Sequence, residues 1–596
     1  MKKALFFLSL AALGVSCSND PATGKDRKAI GNRAYGGTVR YNETEKIQSL
    51  YPVFITDAIS SHIASQIYEG LVKFSPKTLQ IIPAIAKKWD IDASRTVYTF
   101  HLRGDVFFHD DACFDGGKGR KVTARDFEYS FKQLCTNSTN NFSFGTTFKD
   151  RVKGANAYYA SGSGSIEGVK VLNDSTLQLT LEKPNNAFLY ILANPAAAVI
   201  PEEAVKEYND KMHVGTGPFI VREIKADTSM LVMVRNDNYY GIDSLGNKLP
   251  FLDTIKVSFI DSKRAELEAF TAGDLDFVWG LNADAIKDLV SSQIQNFQQK
   301  PPKYVLDHTA EMVTQIYEFN TTRAPFNDLK VRQAFCYAVN RNKIIDGVLG
   351  GEAYGPGVNG ICPPALKGYN INEIKGYDFD PQKAQDLLAA AGYKTIGHPN
   401  GKDFPTVRLI LNSGGAKNTN VATEIQSQLR DVLGVNVDFV NVNFAQKLED
   451  AKYARSDIFR SAWVADFPSP ENFLALFYGG DVPDSTNKPS YPNTTRYKNP
   501  EFDKLFEAAK AAPNQEEANK LFLQAEQLMV NDAPSMFLWY DENYKLTQYR
   551  IKNFYTNAMR YYDFSEVYVK EDTAPKEGEK KADDKKGESG DGQDKH

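Results

Sequence analysis

Histidine and carboxylate come close together at one place in this sequence, where His101 is followed by the triplet His109, Asp110 and Asp111. Imidazole and carboxylate at such spacing are the ingredients of a metal site or of general acid–base chemistry. Their surroundings argue for plainer roles. Tyr98, Phe100 and Leu102 alternate with Val97, Thr99 and His101, which predicts a half-buried strand with the histidine on its outer face. The triplet then falls in a polar loop. The run GGKGRK at 116–121 has glycines but neither the GK[ST] ending nor the preceding strand of a phosphate loop, so it reads as a flexible insertion. There is no GxSxG, no HExxH and no Cys/His nucleophile context. The chain is read as a binder without metal or cofactor, not as an enzyme.

The elements that would position any site alternate between strand and helix. Thr123 and Asp126 make a capping box for a helix with Phe127, Phe131 and Leu134 on one face. VKVLNDSTLQLTL predicts a hairpin turning at Asn173 and Asp174, with Leu177, Leu179 and Leu181 inward. Asp380 and Pro381 open a helix carrying Ala384, Leu387, Leu388 and Ala391, closed by Gly392. A strand with Val407, Leu409 and Leu411 is followed by a helix with Val421, Ile425, Leu429 and Leu433, ended by Gly434. A strand with Val435, Val437 and Phe439 follows. Strand, helix and strand in that order form a βαβ unit, hence a parallel pair. The fold class is α/β.

At 596 residues the chain exceeds one core, and length alone suggests about three or four domains. A net charge of -5 argues against nucleic acid or an anionic membrane surface as the main partner. Lys2 and Lys3 precede the apolar residues 4–15, too short for a spanning helix but suited to a signal-peptide core. Gly14 and Ser16 lead into Cys17, with Ser18, Asn19 and Asp20 beyond, which resembles a bacterial lipobox. The alternative is an ordinary signal peptide ending near a cysteine. A lipidated Cys17 would tether the chain to a membrane of the cell envelope, with residues 18–38 as linker. Residues 571–596, dominated by Lys, Glu, Asp and Gly, are expected to be a disordered tail. Cys113, Cys135, Cys336 and Cys362 are either buried free thiols or two local bridges.

The phrases QIYEGLVKF, PAIAKKWDI, YTFHLRGDVFFHDD and VTARDFEYSF follow one another between residues 66 and 131. In that order they resemble the N-terminal signature of the family 5 extracellular solute-binding proteins, receptors that deliver peptides, nickel and some sugars to ABC importers. GTGPF (215–219), RNDNYYG (235–241), FNTTRAPFNDLKVRQAFCYAVNRNKII (319–345) and GYDFDPQKAQDLLAAAGY (376–393) extend the resemblance over about residues 40 to 570. It implies a two-lobe periplasmic-binding-protein fold of the class II type. Residues 38–308 and 541–570 would form the first lobe, with an extra subdomain at 73–210, and residues 309–540 the second. The crossings near 308 and 540 would be the hinge.

The segment FRSAWVADFPSPENF (459–473) is similar to the place where peptide-binding members keep a tryptophan followed by an aspartate, here Trp463 and Asp466. In those relatives the aspartate receives the peptide's free α-ammonium, a task suited to a carboxylate in a desolvated cleft. The plain alternative for Asp466 is a cap or turn residue before Pro468. By the same resemblance Arg460 is a basic residue near the cleft. Phe444 is an aromatic that contacts ligand or else packs in the lobe. Thr56, Asp57 and Ala58 match a stretch whose backbone pairs with an extended peptide. The implied partners are a peptide or other small solute and a permease with its ATPase, with the receptor a monomer. An oligosaccharide, a nickel complex, or a peptide sensor or adhesin without import is the alternative.

Overall fold

The computed structural model describes residues 27–55, 57–281, 283–412 and 415–570. The leader, Cys17, the first part of the linker, Thr56 and the tail 571–596 lie outside the described residues. Within them the α/β expectation holds, element by element. Val97–Leu102 is a strand with Tyr98, Phe100 and Leu102 buried. It sits inside a four-stranded sheet between Ala86–Ile91 and Thr176–Thr180, with Val169–Asn173 at the edge. The hairpin turns where expected, and Leu177, Leu179 and Leu181 are buried. Helix Ala124–Leu134 begins at the reciprocal Thr123/Asp126 capping box and buries Phe127, Phe131 and Leu134 against this sheet's core.

Asp380 caps Pro381–Ala390 by accepting from the Lys383 amide, and Gly392 takes the left-handed φ of 88° that lets the chain leave the helix. Val407–Asn412 and Val437–Val442 pair in parallel around helix Gly415–Leu433. The second of these strands starts later than expected: Val435 is buried just ahead of it, at the turn that Gly434 makes.

Those two strands belong to a seven-stranded sheet ordered Phe277–Trp279, Ser535–Gln548, Tyr304–Phe319, Ile458–Val464, Val407–Asn412 and Val437–Val442, with Gly355–Pro356 paired to the second of them. Its two long strands, Tyr304–Phe319 and Ser535–Gln548, run antiparallel from Tyr304↔Gln548 to Glu318↔Ser535. Their register shifts at two places, between Gln315 and Ile316 and, more widely, between Ala310 and Thr314, opposite Glu542 and Tyr540. Bulges of this kind bend and twist a ladder locally.

Two large hydrophobic cores lie on either side of the wider shift. One draws on residues from Val39 to Val257, then Phe277, Trp279, Ile551, Tyr562, Phe564 and Val567. The other draws on residues from Met312 to Tyr540, with Leu79 added.

The phrases that carry the family resemblance have physical jobs in the first core. Buried Glu69 accepts from Tyr239 Oη at 2.9 Å, Tyr240 Oη at 2.8 Å and Thr216 Oγ1 at 3.1 Å, so three distant phrases meet on one carboxylate. Gln66 donates to the Tyr562 carbonyl at 2.9 Å and accepts from the Phe564 amide at 3.0 Å, tying the returning C-terminal segment to the first helix. A Cβ at Gly215 would stand 2.1 Å from the Ile67 carbonyl oxygen, which is why that loop needs glycine. In the second core Arg341 is buried and donates to the carbonyls of Phe537, Cys336, Val339 and Tyr377.

Cys113, Cys135, Cys336 and Cys362 are all free thiols, which is the first of the two readings above. Burial pushes the thiols of Cys135 and Cys336 up to about 12. No described helix is long and apolar enough to cross a membrane.

Candidate functional site

Strand Ile458–Val464 lies beside the first long strand, with Arg460 opposite Tyr317 and Trp463 opposite Thr314. The chain leaves the strand through Ala465, whose amide donates to the Met312 carbonyl at 2.9 Å inside the register break. It then turns at Asp466 and enters the short helix Pro470–Leu474, capped by Ser469. Asp466 is therefore not the helix cap.

Asn472, almost fully buried in that helix, folds the turn back on itself. Its Oδ1 accepts from Trp463 Nε1 at 2.8 Å and from the Asp466 amide at 3.1 Å, and its Nδ2 donates to Asp466 Oδ2 at 3.3 Å. One amide side chain thus orients the indole and the carboxylate together.

Asp466 is open to solvent, yet protein surrounds it closely enough that desolvation pushes its pKa above the ordinary aspartate value. Accessibility combined with desolvation is what the wall of a cleft produces. Among the described residues only the weak bond from Asn472 opposes the shift, and no cation does.

Arg460 lies in a different set of contacts. Its guanidinium donates to Asn412 Oδ1 at 3.2 Å and Gln315 Oε1 at 2.7 Å, both neutral, and burial lowers its pKa. Gln315 in turn donates to Asp541 Oδ2 at 2.7 Å, which also links the two long strands.

Phe444 opens helix Phe444–Lys452 and is 62% exposed, so it does not serve as lobe packing. Asp57 caps helix Ala58–Ile67 by accepting from the Ser60 amide at 2.8 Å, while its Oδ2 is buried with no hydrogen-bond partner among the described residues. Ile55 and Asp57 each have extended backbone angles, and the helix begins at Ala58. The structure thus joins Trp463 and Asp466 through Asn472, gives Arg460 its own partners, and places Phe444 and Asp57 at helix starts.

Two residues near Asp466 have no forerunner among the sequence expectations. Asn472 stands in the same FRSAWVADFPSPENF phrase, but its spacing alone does not reveal that it turns back. Tyr491 is half exposed, lies under Lys452 Nζ at 5.3 Å, and has its phenol pKa raised by burial and then by the charges of Asp466 and Glu318. Its loop is tied down by the Ser490 amide on the Lys452 carbonyl at 2.9 Å. Arg496 also donates to the carbonyls of Lys452 at 2.8 Å and Lys488 at 2.6 Å. No sequence signal separates this tyrosine from the others.

His109, from the one His/carboxylate cluster, is buried. Its Nε2 bonds the Gly217 carbonyl at 2.9 Å and its Nδ1 accepts from the Gly215 amide at 3.3 Å, while desolvation lowers its pKa to about 4. Both ring nitrogens are used to hold the GTGPF loop. Among the described residues no group of three or more His, Cys, Asp and Glu could hold a metal ion.

Comparison with known proteins places these features in context. The model of the bacterial extracellular solute-binding proteins, family 5 middle, matches residues 80–485. The chain is 28% identical to heme-binding protein A of Haemophilus influenzae, over 94% of this chain and 97% of that one. It is 27% identical to the dipeptide-binding protein DppE of Bacillus subtilis, over 93% of this chain and 96% of that one. Among solved structures, the Helicobacter pylori ABC transporter-associated periplasmic binding protein DppA in complex with peptide STSA superposes with a TM-score of 0.72 at 25% identity. That match covers 90% of this chain and 99% of the other.

Proposed function

Because the chain belongs to the bacterial extracellular solute-binding proteins of family 5, we propose that it is the receptor of an ABC importer, binding peptides by their free amino end in a cleft between two lobes. The observation that carries the ligand class is Asp466, a desolvated carboxylate without a protein cation, oriented with Trp463 by Asn472. An α-ammonium would complete it with a charge-assisted hydrogen bond. The dipeptide-binding and peptide-complexed relatives support the same reading.

In this account the two long strands form the hinge. Their register break at 310–314 against 540–542 lies between the two cores, where a change in backbone angles moves one core against the other without unpacking either. The first lobe would take residues 38–308 and 541–570 and the second residues 309–540.

A heme reading is favoured by one specific observation, the 28% identity to a heme-binding protein over nearly the whole chain. Thermal melts separate the two. A ligand that binds only the folded state stabilises it by RT ln(1 + [L]/Kd), about 2.7 kcal/mol at a hundredfold excess over Kd. A mixture of di- to pentapeptides is expected to raise the melting temperature, and hemin, maltotriose and nickel chloride are expected to leave it unchanged. A shift with hemin and none with peptides would replace the peptide reading.

Tethering follows from Cys17 as the lipidated residue. Cys17→Ser is expected to move the protein from the membrane fraction to the soluble fraction, since the lipid on Cys17 is the proposed anchor and no described helix is long and apolar enough to cross a membrane. A folded variant that still pellets with membranes would contradict the anchor.

A further inference from the structure

The two cores meet at a second place besides the long strands. The turn between strands Ala86–Ile91 and Val97–Leu102 is closed by Asp92, which accepts from the Val97 amide at 2.9 Å and whose carbonyl accepts from the Arg95 amide at 3.0 Å. Arg95 sits at its apex with φ +59°, a left-handed conformation that non-glycine residues avoid. Its guanidinium crosses to the C-terminal end of helix Pro500–Lys510, in the other core, and donates to the carbonyls of Ala511 at 3.0 Å and Ala512.

Asn186 joins it from the first core. Its amide donates to the Lys510 carbonyl at 3.1 Å and its Nδ2 to the carbonyls of Ala509 at 3.2 Å and Ala512 at 3.1 Å, while its Oδ1 accepts from Arg95. A helix ends with four carbonyls that lack intrahelical donors, and with a partial negative charge. Here those carbonyls receive their donors, and a cation, from the other core.

Apolar contacts run alongside. Tyr190 stacks on Phe467 with centroids 6.4 Å apart and planes 9° from parallel, and Phe74, Ala187, Ile191 and Phe467 form a small cluster of their own between the cores. Phe467 follows Asp466 directly in sequence, so the clasped face and the ligand-binding turn share a segment.

We propose that Arg95 and Asn186 form an interlobe clasp that sets ligand affinity without touching ligand, by capping helix Pro500–Lys510 only when the lobes are closed. A ligand that binds the closed state pays in affinity for every molecule that is open, because the apparent Kd is the intrinsic one divided by the closed fraction. Loosening the clasp lowers that fraction. The proposal rests on the two-lobe reading but not on the ligand being a peptide.

The test measures interlobe distance with no ligand present, by double electron–electron resonance between spin labels at the exposed positions Lys170 and Lys504, in a Cys17→Ser, Cys113→Ser background whose remaining thiols, Cys135, Cys336 and Cys362, are buried. Arg95→Ala and Asn186→Ala are expected each to broaden the distribution and shift it to longer distances, while Arg125→Ala, which removes an exposed ion pair elsewhere, leaves it unchanged. Titration with trialanine is expected to give roughly five- to tenfold weaker binding in both clasp variants, the scale of one or two hydrogen bonds lost from the closed state. If Arg95→Ala fails to fold, Asn186→Ala reads the same contact. Unchanged distances in a folded clasp variant overturn the clasp. Failure of the parent protein to bind trialanine would count against the peptide reading, and the distance measurement would still decide the clasp.

Discussion

Asp466→Ala is expected to weaken binding of a peptide with a free amino end by about 2 to 5 kcal/mol, the scale for truncating one member of a buried, hydrogen-bonded charge pair. The reason is local. Protein around Asp466 raises its pKa, its one hydrogen bond from Asn472 is weak, and no protein cation lowers that pKa, so in the proposed function a ligand ammonium would be its partner. Acetylating the peptide should cost the wild type a similar amount and the variant little more, since both changes remove one contact.

Calorimetry on the four combinations gives the coupling directly, and additive losses would show that Asp466 does not meet the ammonium. The pH dependence follows from the same carboxylate. A proton competes with the ammonium, and because desolvation raises the pKa of Asp466, affinity is full above that pKa and falls as pH drops through it. The decline therefore begins at a higher pH than an ordinary aspartate would produce. Asp466→Asn should flatten this limb of the profile.

Arg341→Met is expected to destabilise the fold by about 3 kcal/mol or more, because it strips the donor from four buried hydrogen bonds to backbone carbonyls. Arg341 donates to Phe537 at 2.6 Å, Tyr377 at 2.8 Å, Val339 at 3.2 Å and Cys336 at 3.3 Å, which ties the second long strand to the helices packed on it. The guanidinium is paired with carbonyl dipoles rather than a carboxylate, so no charge is stranded when it is removed. Denaturant unfolding checks this, and a midpoint within error of the wild type would mean that these carbonyls find other partners.

Short-range chemistry was readable from the sequence. The Thr123/Asp126 capping box, the Asn173–Asp174 turn and the Asp380–Pro381 helix start depend on residues a few positions apart, and each element forms as its local pattern requires. The parallel pair around Gly415–Leu433 was readable because strand and helix periods differ. Val435 fits the strand pattern yet precedes the strand, since an apolar residue after Gly434 has the same pattern whether it starts the strand or fills the turn before it.

Long-range convergence was not readable. Nothing near Glu69 says that Thr216, Tyr239 and Tyr240 will share its carboxylate, and nothing near Arg95 points to the end of a helix more than four hundred residues away. At the candidate site the strand and the residue types were legible through the family phrase. The direction in which Asn472 turns, and the approach of Tyr491 from a separate loop, depend on side-chain geometry that spacing does not encode.

The central claim, that this receptor captures peptides by the amino end in its cleft, is tested most directly by native mass spectrometry of the protein as purified from its own cells. The account predicts a ladder of bound masses separated by amino-acid residue increments, lost in Asp466→Ala while the protein remains folded. A single bound mass matching a porphyrin, an oligosaccharide or a metal complex, retained in Asp466→Ala, would contradict it.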